Sequence, residues 1–353
     1  MRKYVLAAMV LLLVTCKACM AEAELFYPTE TIQSITDGLS VVSFRGDDGF
    51  SGFLAQGGAS SDKDVVKYVL QWTGEKNPLL QFVSNMFGCS TLSAANSNGD
   101  RLFGRNFDWY HCNALIVESI PEEGYASIST VNTDFITAGT GLSSQMIPEN
   151  LLTLAALYAP LDGMNEKGFA VSVNMIQDRA TIRQETDKPD LTTTTAVRLL
   201  LNQAASVEEA IALLSQYDLH ASMGWMVHFA MADATGRSVV VEYIDQQMVV
   251  TETPVVTNFY LTPGDKYGVG TAQSMTRYET LMDTLENTQT LEVESMQDAL
   301  ESVSKHHFSD GETTEWSIVF NLTTGEVWYA HREDFTQWYG LQWSGQKRGE
   351  LYE

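Results

Sequence analysis

At the Gly88–Cys89 junction the hydrophobic pattern changes period, and no other feature constrains the fold of this chain as much. Upstream, apolar side chains recur at helical spacing: Val65, Val66, Val69 and Leu70, then Leu79, Leu80, Phe82, Val83, Met86 and Phe87. Ser61-x-x-Asp64 is placed to cap the first stretch, Pro78 divides it from the second, and Gly88 predicts the end of a second helix. Downstream, Cys89–Ala95 and Leu102–Phe107 read as two strands with Ser97-Asn98-Gly99-Asp100 between them. Asn-Gly readily takes up the left-handed backbone of a tight hairpin turn, so the second strand is expected to fold back beside the first.

Further strand signals lie at Leu115–Ile120, Tyr125–Val131 and Phe169–Met175. Thr192–Tyr217 predicts two helices, the second opened by the capping box Ser206-x-x-Glu209. A meander follows (Trp225–Met231, Ser238–Ile244, Met248–Thr251), then helices over Ser274–Leu285 and Val293–Ser304. Two last strands, Ser317–Leu322 and Glu326–Tyr329, are joined by a turn at Thr323-Thr324-Gly325. Strand blocks separated by paired helices predict an α+β fold with helices packed on antiparallel sheets.

The chain opens with Arg2 and Lys3, an apolar run from Tyr4 to Val14, and the small-x-small sequence Ala21-Glu22-Ala23. This is the pattern of a secretory signal over residues 1–23 and predicts a secreted or cell-envelope protein. Neither Thr15-Cys16 nor Ala18-Cys19 matches a lipid-attachment site, so no lipid anchor is expected. Later stretches fall short of the ~20 uninterrupted apolar residues that span a bilayer, so no membrane insertion is expected. A preface over 24–88, partly helical, and a main domain over 89–353 complete the expected organisation. The net charge of −24, from 45 acidic and 21 basic side chains, repels phosphate backbones and makes nucleic acid a poor partner. Association into homo-oligomers is left open.

Of four cysteines, Cys16 and Cys19 fall in the signal, leaving Cys89 and Cys112 either to pair with each other or to serve chemistry. If the bond to Gly88 is cut, Cys89 carries both a thiol and a free α-amine. The pKa of such an amine, about 7.7–8.0, suits it to accept the thiol proton without a histidine. Strand alternation sets Arg105 and Phe107 on one face and Asn106 and Asp108 on the other. A guanidinium near the thiol favours the thiolate, and a carboxylate near the amine orients it. The competing reading is a surface Arg–Asp pair worth under about 1 kcal/mol.

Cys89-Ser-Thr-Leu, the Asn-Gly turn and Gly104-Arg-Asn-Phe-Asp-Trp109 resemble the start of the mature chain in the choloylglycine hydrolase and penicillin V acylase family, N-terminal-nucleophile hydrolases of linear amides. The likeness continues in order through Asp162-Gly-Met-Asn-Glu-Lys-Gly-Phe-Ala, Ser172-Val-Asn174, Trp225-Met-Val, Asp233-Ala-Thr-Gly, Val255-Val-Thr-Asn258 and Ser274-Met-Thr-Arg277-Tyr. It implies a four-layer αββα sandwich and a small-molecule acyl amide substrate, such as a bile salt, a phenoxyacetyl-type penicillin or an N-acyl homoserine lactone. It also implies catalytic roles. Cys89 matches the nucleophile, Arg105 and Asp108 the groups that position and tune it, and Asn258 an oxyanion-hole asparagine. Asn174 matches the second oxyanion donor, and Arg277 a cation that steadies the thiolate. Many members of the family carry the cysteine directly after the initiator Met; the preface of this chain departs from that pattern.

No cofactor or metal is expected, because His111, His220, His228, His306, His307 and His331 are too scattered to share an ion. The aromatic tail (Phe335, Trp338, Tyr339, Trp343) reads as a packing flap, and Cys112 as a core or pocket-wall position. Two other functions compete: a Cys–His protease using an internal Cys89, and a secreted binding protein on the same scaffold.

Overall fold

The computed structural model describes residues 24–74, 88–137, 147–306 and 311–346; the second helix expected in the preface lies outside them. Two large sheets dominate. The first runs β1-β18-β17-β16-β5-β4-β15, built from β1 (Glu24–Phe26), β4 (Gly88–Ala95), β5 (Arg101–Trp109), β15 (Val255–Val256), β16 (Thr313–Asn321), β17 (Val327–His331) and β18 (Asp334–Leu341). The second runs β14-β13-β12-β9-β8-β7-β6-β3-β2. Its strands are β2 (Gln33–Thr36), β3 (Leu39–Gly46), β6 (Ala114–Pro121), β7 (Ser127–Asn132), β8 (Asp162–Asn165), β9 (Phe169–Met175), β12 (Val227–Asp233), β13 (Ser238–Ile244) and β14 (Gln247–Glu252). Neighbours are antiparallel except β1–β18 and β3–β6. A short parallel pair, β10 (Asp190–Thr192) and β11 (Asp218–His220), stands apart.

Three apolar layers separate four layers of secondary structure. Between the sheets lie Val41, Phe107, Ile116, Ile128, Met164, Ala230, Trp316 and Ile318, with Phe107 stacked on Trp316 at 3.9 Å between ring centroids. The outer face of the nine-stranded sheet is covered by α1 (Phe50–Ala55), α2 (Asp62–Thr73), α4 (Glu149–Leu157), α5 (Thr193–Gln203) and α6 (Val207–Leu214), with the short α3 (Thr133–Thr137) beside them. On the outer face of the seven-stranded sheet, α7 (Ala272–Asn287) and α8 (Val293–Ser302) pack Leu281, Met296 and Leu300 onto Leu92, Leu102 and Val319. The inner strands β5, β7, β9 and β12 bury both faces, one between the sheets and one under helices, while the edge strands β1, β2 and β14 stay partly exposed. This is the αββα sandwich.

Most expected elements form where the hydrophobic period placed them. Ser206 Oγ accepts from the Glu209 N–H at 3.2 Å and Ser61 Oγ from the Asp64 N–H at 3.3 Å, as capping residues do. Gly88 is the first residue of β4, and the helix it was expected to close lies outside the described residues. The preface is not a separate unit: β1 joins the first sheet and β2–β3 the second. The aromatic tail is a strand, β18, followed by a buried Trp343 whose Nε1 donates to Gly325 O at 2.7 Å.

Candidate active site

The β4–β5 hairpin sets Cys89 opposite Phe107 and Gly88 opposite Asp108. The Cys89 side chain points between the sheets and is fully buried. Its backbone N–H donates to Asn258 Oδ1 at 2.7 Å, and its thiol faces Val173 O of β9 at 3.7 Å. Asn258, which follows the short strand β15, is pinned from its other end, where Nδ2 donates to Met175 O at 2.7 Å.

Arg105 lies on the same face of the sheet as Cys89. Its Nε donates to Asp162 Oδ2 at 2.5 Å, and its Nη1 to Ser172 Oγ, to Val173 O at 3.3 Å and to Asn174 Oδ1 at 3.3 Å. Trp316 Nε1 donates to the same Asp162 oxygen at 3.1 Å. Arg105 and Asp162 are both completely buried, which a charged pair tolerates only when further hydrogen bonds replace the lost water. Ser172 Oγ also donates to Asn174 Oδ1 at 2.8 Å, so Arg105 and Ser172 hold that oxygen and leave the amide nitrogen facing Val256 O at 3.4 Å.

Burial pushes the Cys89 thiol up to about 11; the Arg105 charge opposes this most strongly, Asp108 adds to it and Arg277 opposes it again. Joined to Gly88, the thiol is therefore protonated at neutral pH.

Asp108 and Arg277 occupy the opposite, helix-covered face. Asp108 Oδ1 accepts from Thr314 Oγ1 at 2.7 Å, and its Oδ2 stands 3.5 Å from Arg277 Nη1. Gly88 packs so closely that a Cβ there would meet Asp108 Oδ2 at 2.9 Å and Lys305 Nζ at 3.0 Å. Arg277, on α7, donates through Nη1 to Cys89 O at 2.6 Å and Ser90 Oγ at 2.5 Å, and through Nη2 to Asn258 Oδ1 at 2.8 Å. It thus grips the Cys89 main chain, and Arg105 is the arginine on the sulfur's side of the sheet.

Of the other five residues singled out in the sequence, Asn258 and Arg277 bond the Cys89 main chain, the charges of Arg105 and Asp108 act on its thiol, and Asn174 meets Arg105. Others join them. Asp162, Ser172 and Trp316 hold Arg105, and Thr314 holds Asp108. Behind Asn258, His228 Nε2 lies 2.8 Å from Thr257 O and its Nδ1 3.0 Å from Glu242 Oε1. Glu242 also accepts from the Leu261 and Thr262 N–H groups at 2.9 and 2.7 Å. Asp162 and Ser172 stand inside quoted motifs, and the need of a buried arginine for a carboxylate is the signal that finds Asp162. The five residues of the His228 group carry no such signal. Cys112 is free and buried, and burial followed by the Glu315 charge raises its thiol well above the usual range.

Fold and site together define an αββα sandwich with a strand-borne cysteine between its two sheets, held through its own backbone nitrogen and covered by helices on both outer faces. Residues 89–298 match the model of the linear amide C–N hydrolases, choloylglycine hydrolase family. The chain belongs to this family and is a hydrolase of C–N bonds in linear amides. Two structures of variants of conjugated bile acid hydrolase from Clostridium perfringens share the fold. One has a TM-score of 0.53 at 15% identity, covering 71% of this chain and 92% of that one. The other has a TM-score of 0.51 at 16% identity, covering 73% and 98%. Penicillin V acylase from Agrobacterium tumefaciens is similar at a TM-score of 0.45 and 18% identity, covering 69% and 83%. No curated protein matches the chain significantly.

Proposed function

We propose that the chain is exported, is cut between Gly88 and Cys89, and then hydrolyses a small acyl amide with Cys89 as nucleophile. The observation that carries this is the geometry of one residue. The nitrogen of Cys89 is held by Asn258, its carbonyl by Arg277, and its thiol faces Arg105's side of the site, so both ends of the catalytic unit are already oriented.

Maturation begins when Cys89 Sγ attacks the Gly88 carbonyl carbon. An S–C bond forms, the C–N bond breaks, and the thiol proton passes to the departing nitrogen. Water then cleaves the thioester, restoring the thiol and leaving a Gly88 carboxylate. In the mature enzyme the freed amine takes the thiol proton and the thiolate attacks the substrate carbonyl. The Asn258 and Asn174 amides donate to the developing oxyanion, where one such donor is worth about 2.7–4 kcal/mol. The ammonium returns its proton to the leaving amine, and water releases the acyl group in a second attack. Asp108, beside the Gly88 peptide, steadies the ammonium. Trp109, Phe135, Leu161, Met175, Phe259 and Leu261 pack in the same apolar cluster as Cys89 and suit an apolar acyl part, as in a bile salt or penicillin V.

The charged groups acting on Cys89 are Arg105, Asp108 and Arg277, while His228 is engaged by Glu242 and Thr257; this favours the amine over a Cys–His pair. The test is Cys89→Ser assayed on conjugated bile salts, penicillin V and acyl homoserine lactones. Hydrolysis of at least one by the wild type, reduced at least roughly 100-fold in the variant, is expected. Undiminished turnover contradicts the assignment.

A further inference from the structure

We infer that Lys305, with its partner Glu312, sets how readily the freed α-amine of Cys89 takes up and returns a proton, and so acts through that amine rather than on the substrate. The inference rests on the cut before Cys89 proposed above, since only that cut creates the amine. Lys305 lies beyond residues 89–298, the stretch that matches the family model.

Lys305 follows α8 and is buried. A Cβ built on Gly88 would stand 3.0 Å from its Nζ and 2.9 Å from Asp108 Oδ2, so the ammonium and the carboxylate flank the scissile residue. Backbone bond lengths then put the ammonium within about 6.5 Å of the Cys89 nitrogen. One hydroxyl fixes both groups: Thr314 Oγ1 accepts from the Lys305 N–H at 2.8 Å and donates to Asp108 Oδ1 at 2.7 Å. The Thr314 N–H donates in turn to Lys305 O at 3.0 Å, which ties the lysine to β16 through both of its backbone groups. Glu312, also buried, pairs with the Lys305 ammonium.

Four charges therefore line the helix-covered face beside the Gly88–Cys89 peptide: Lys305 and Arg277 are cations, Asp108 and Glu312 carboxylates. They balance. A protonated amine adds a fifth charge to this buried face, and burial disfavours it. Asp108 Oδ2 favours that ammonium, for it is buried, stands beside Gly88 and has no hydrogen-bond partner among the described residues. Lys305 opposes it. Arg277 opposes it too, although its guanidinium is already engaged by Cys89 O, Ser90 Oγ and Asn258 Oδ1. On the other face of β4 the thiol meets Arg105, which is paired with Asp162, and behind Asn258 lie His228 and Glu242.

The step so governed is the passage of a proton from Cys89 Sγ to Cys89 N as sulfur attacks the substrate carbonyl, and then from that nitrogen to the leaving amine. The α-amine has to begin neutral and has to give its proton back. A nearby cation favours both, because it destabilises the ammonium. Thiol and amine titrate as a pair, and a cation favours proton loss from either member, so the direction is the same whichever proton leaves first. Glu312 offsets the lysine and keeps the amine basic enough to accept the thiol proton.

The test is the pH profile of kcat/KM, whose acidic limb reports the essential base of the free enzyme. It is measured on whichever of the conjugated bile salts, penicillin V and acyl homoserine lactones the wild type hydrolyses, with N-terminal sequencing of every sample. Lys305→Met is expected to move the limb up by roughly one pH unit, with rates that approach the wild type well above it. Glu312→Gln leaves the cation unopposed and is expected to move the limb down. Lys305→Arg keeps the charge and is expected to keep the limb at the wild-type pH. Should Lys305→Met fail to fold or to be cut, the direction of the Glu312→Gln shift decides. With Cys89 sequenced as the first residue, limbs that coincide with the wild type, or a loss of rate equal at every pH, overturn the inference and leave maturation standing. Activity in a chain still joined to Gly88 overturns the maturation reading, and the inference with it.

Discussion

Cys89 is the residue on which the chemistry turns, and its surroundings predict how maturation responds to pH. With the thiol raised to about 11 by burial, the reactive thiolate is a small fraction at neutral pH, and that fraction rises tenfold per pH unit below the pKa. Self-cleavage of purified precursor should therefore speed up by roughly tenfold for each unit between about pH 7 and 9, followed on denaturing gels. A rate flat across that range would mean that thiol ionisation does not limit the cut. The positions of Cys89, Arg105, Asp108, Asn174, Asn258 and Arg277 were legible because each stands in a short motif with a fixed order. The direction in which Arg277 points was not. Its contacts with Cys89 O and Ser90 Oγ depend on how α7 lies across β4, which no local spacing encodes.

Elements aim these residues. The β4–β5 hairpin was readable from the Asn98-Gly99 turn, and its register opposes Cys89 to Phe107. Asn258 is aimed by a longer route, through β12 and β13. His228 meets an acceptor at each ring nitrogen, the Glu242 carboxylate and Thr257 O, and so joins β12 and β13 to the turn that carries Asn258. Replacing His228→Gln removes one of the two bonds. The expected result is a kcat roughly tenfold lower with KM little changed, because Asn258, the proposed oxyanion donor, shifts while the binding walls stay. An unchanged kcat with only a lower Tm would make the residue purely structural. The relay was not visible in the sequence, and of the Arg105–Asp162 pair only the two motifs that carry its members were. Both join strands across a sheet or between sheets, and their partners lie 14 to 57 positions apart.

At the scale of the whole molecule, the preface is where reading from the sequence went furthest astray. Its helical period from Ser61 onward is genuine, and α2 forms there. The strand Leu39–Gly46 carries Val41, Val42 and Phe44, a β-rich composition, yet its role comes only from parallel pairing with Ala114–Pro121 far along the chain. The bond before Cys89, where cleavage is proposed, is thus not a boundary of folding: both sheets contain strands from both sides of it. The chain folds with the Cys89 thiol buried, the nitrogen of the Gly88–Cys89 peptide held by Asn258 and the carbonyl of the next peptide held by Arg277.

The account stands or falls on where the acyl group sits during turnover. Active enzyme quenched with an acylating substrate and digested for mass spectrometry should yield an acylated peptide whose first residue is Cys89, modified on sulfur and bearing a free α-amine. An acyl adduct on a peptide that still joins Phe87 and Gly88 to Cys89, or on any other side chain, would contradict it.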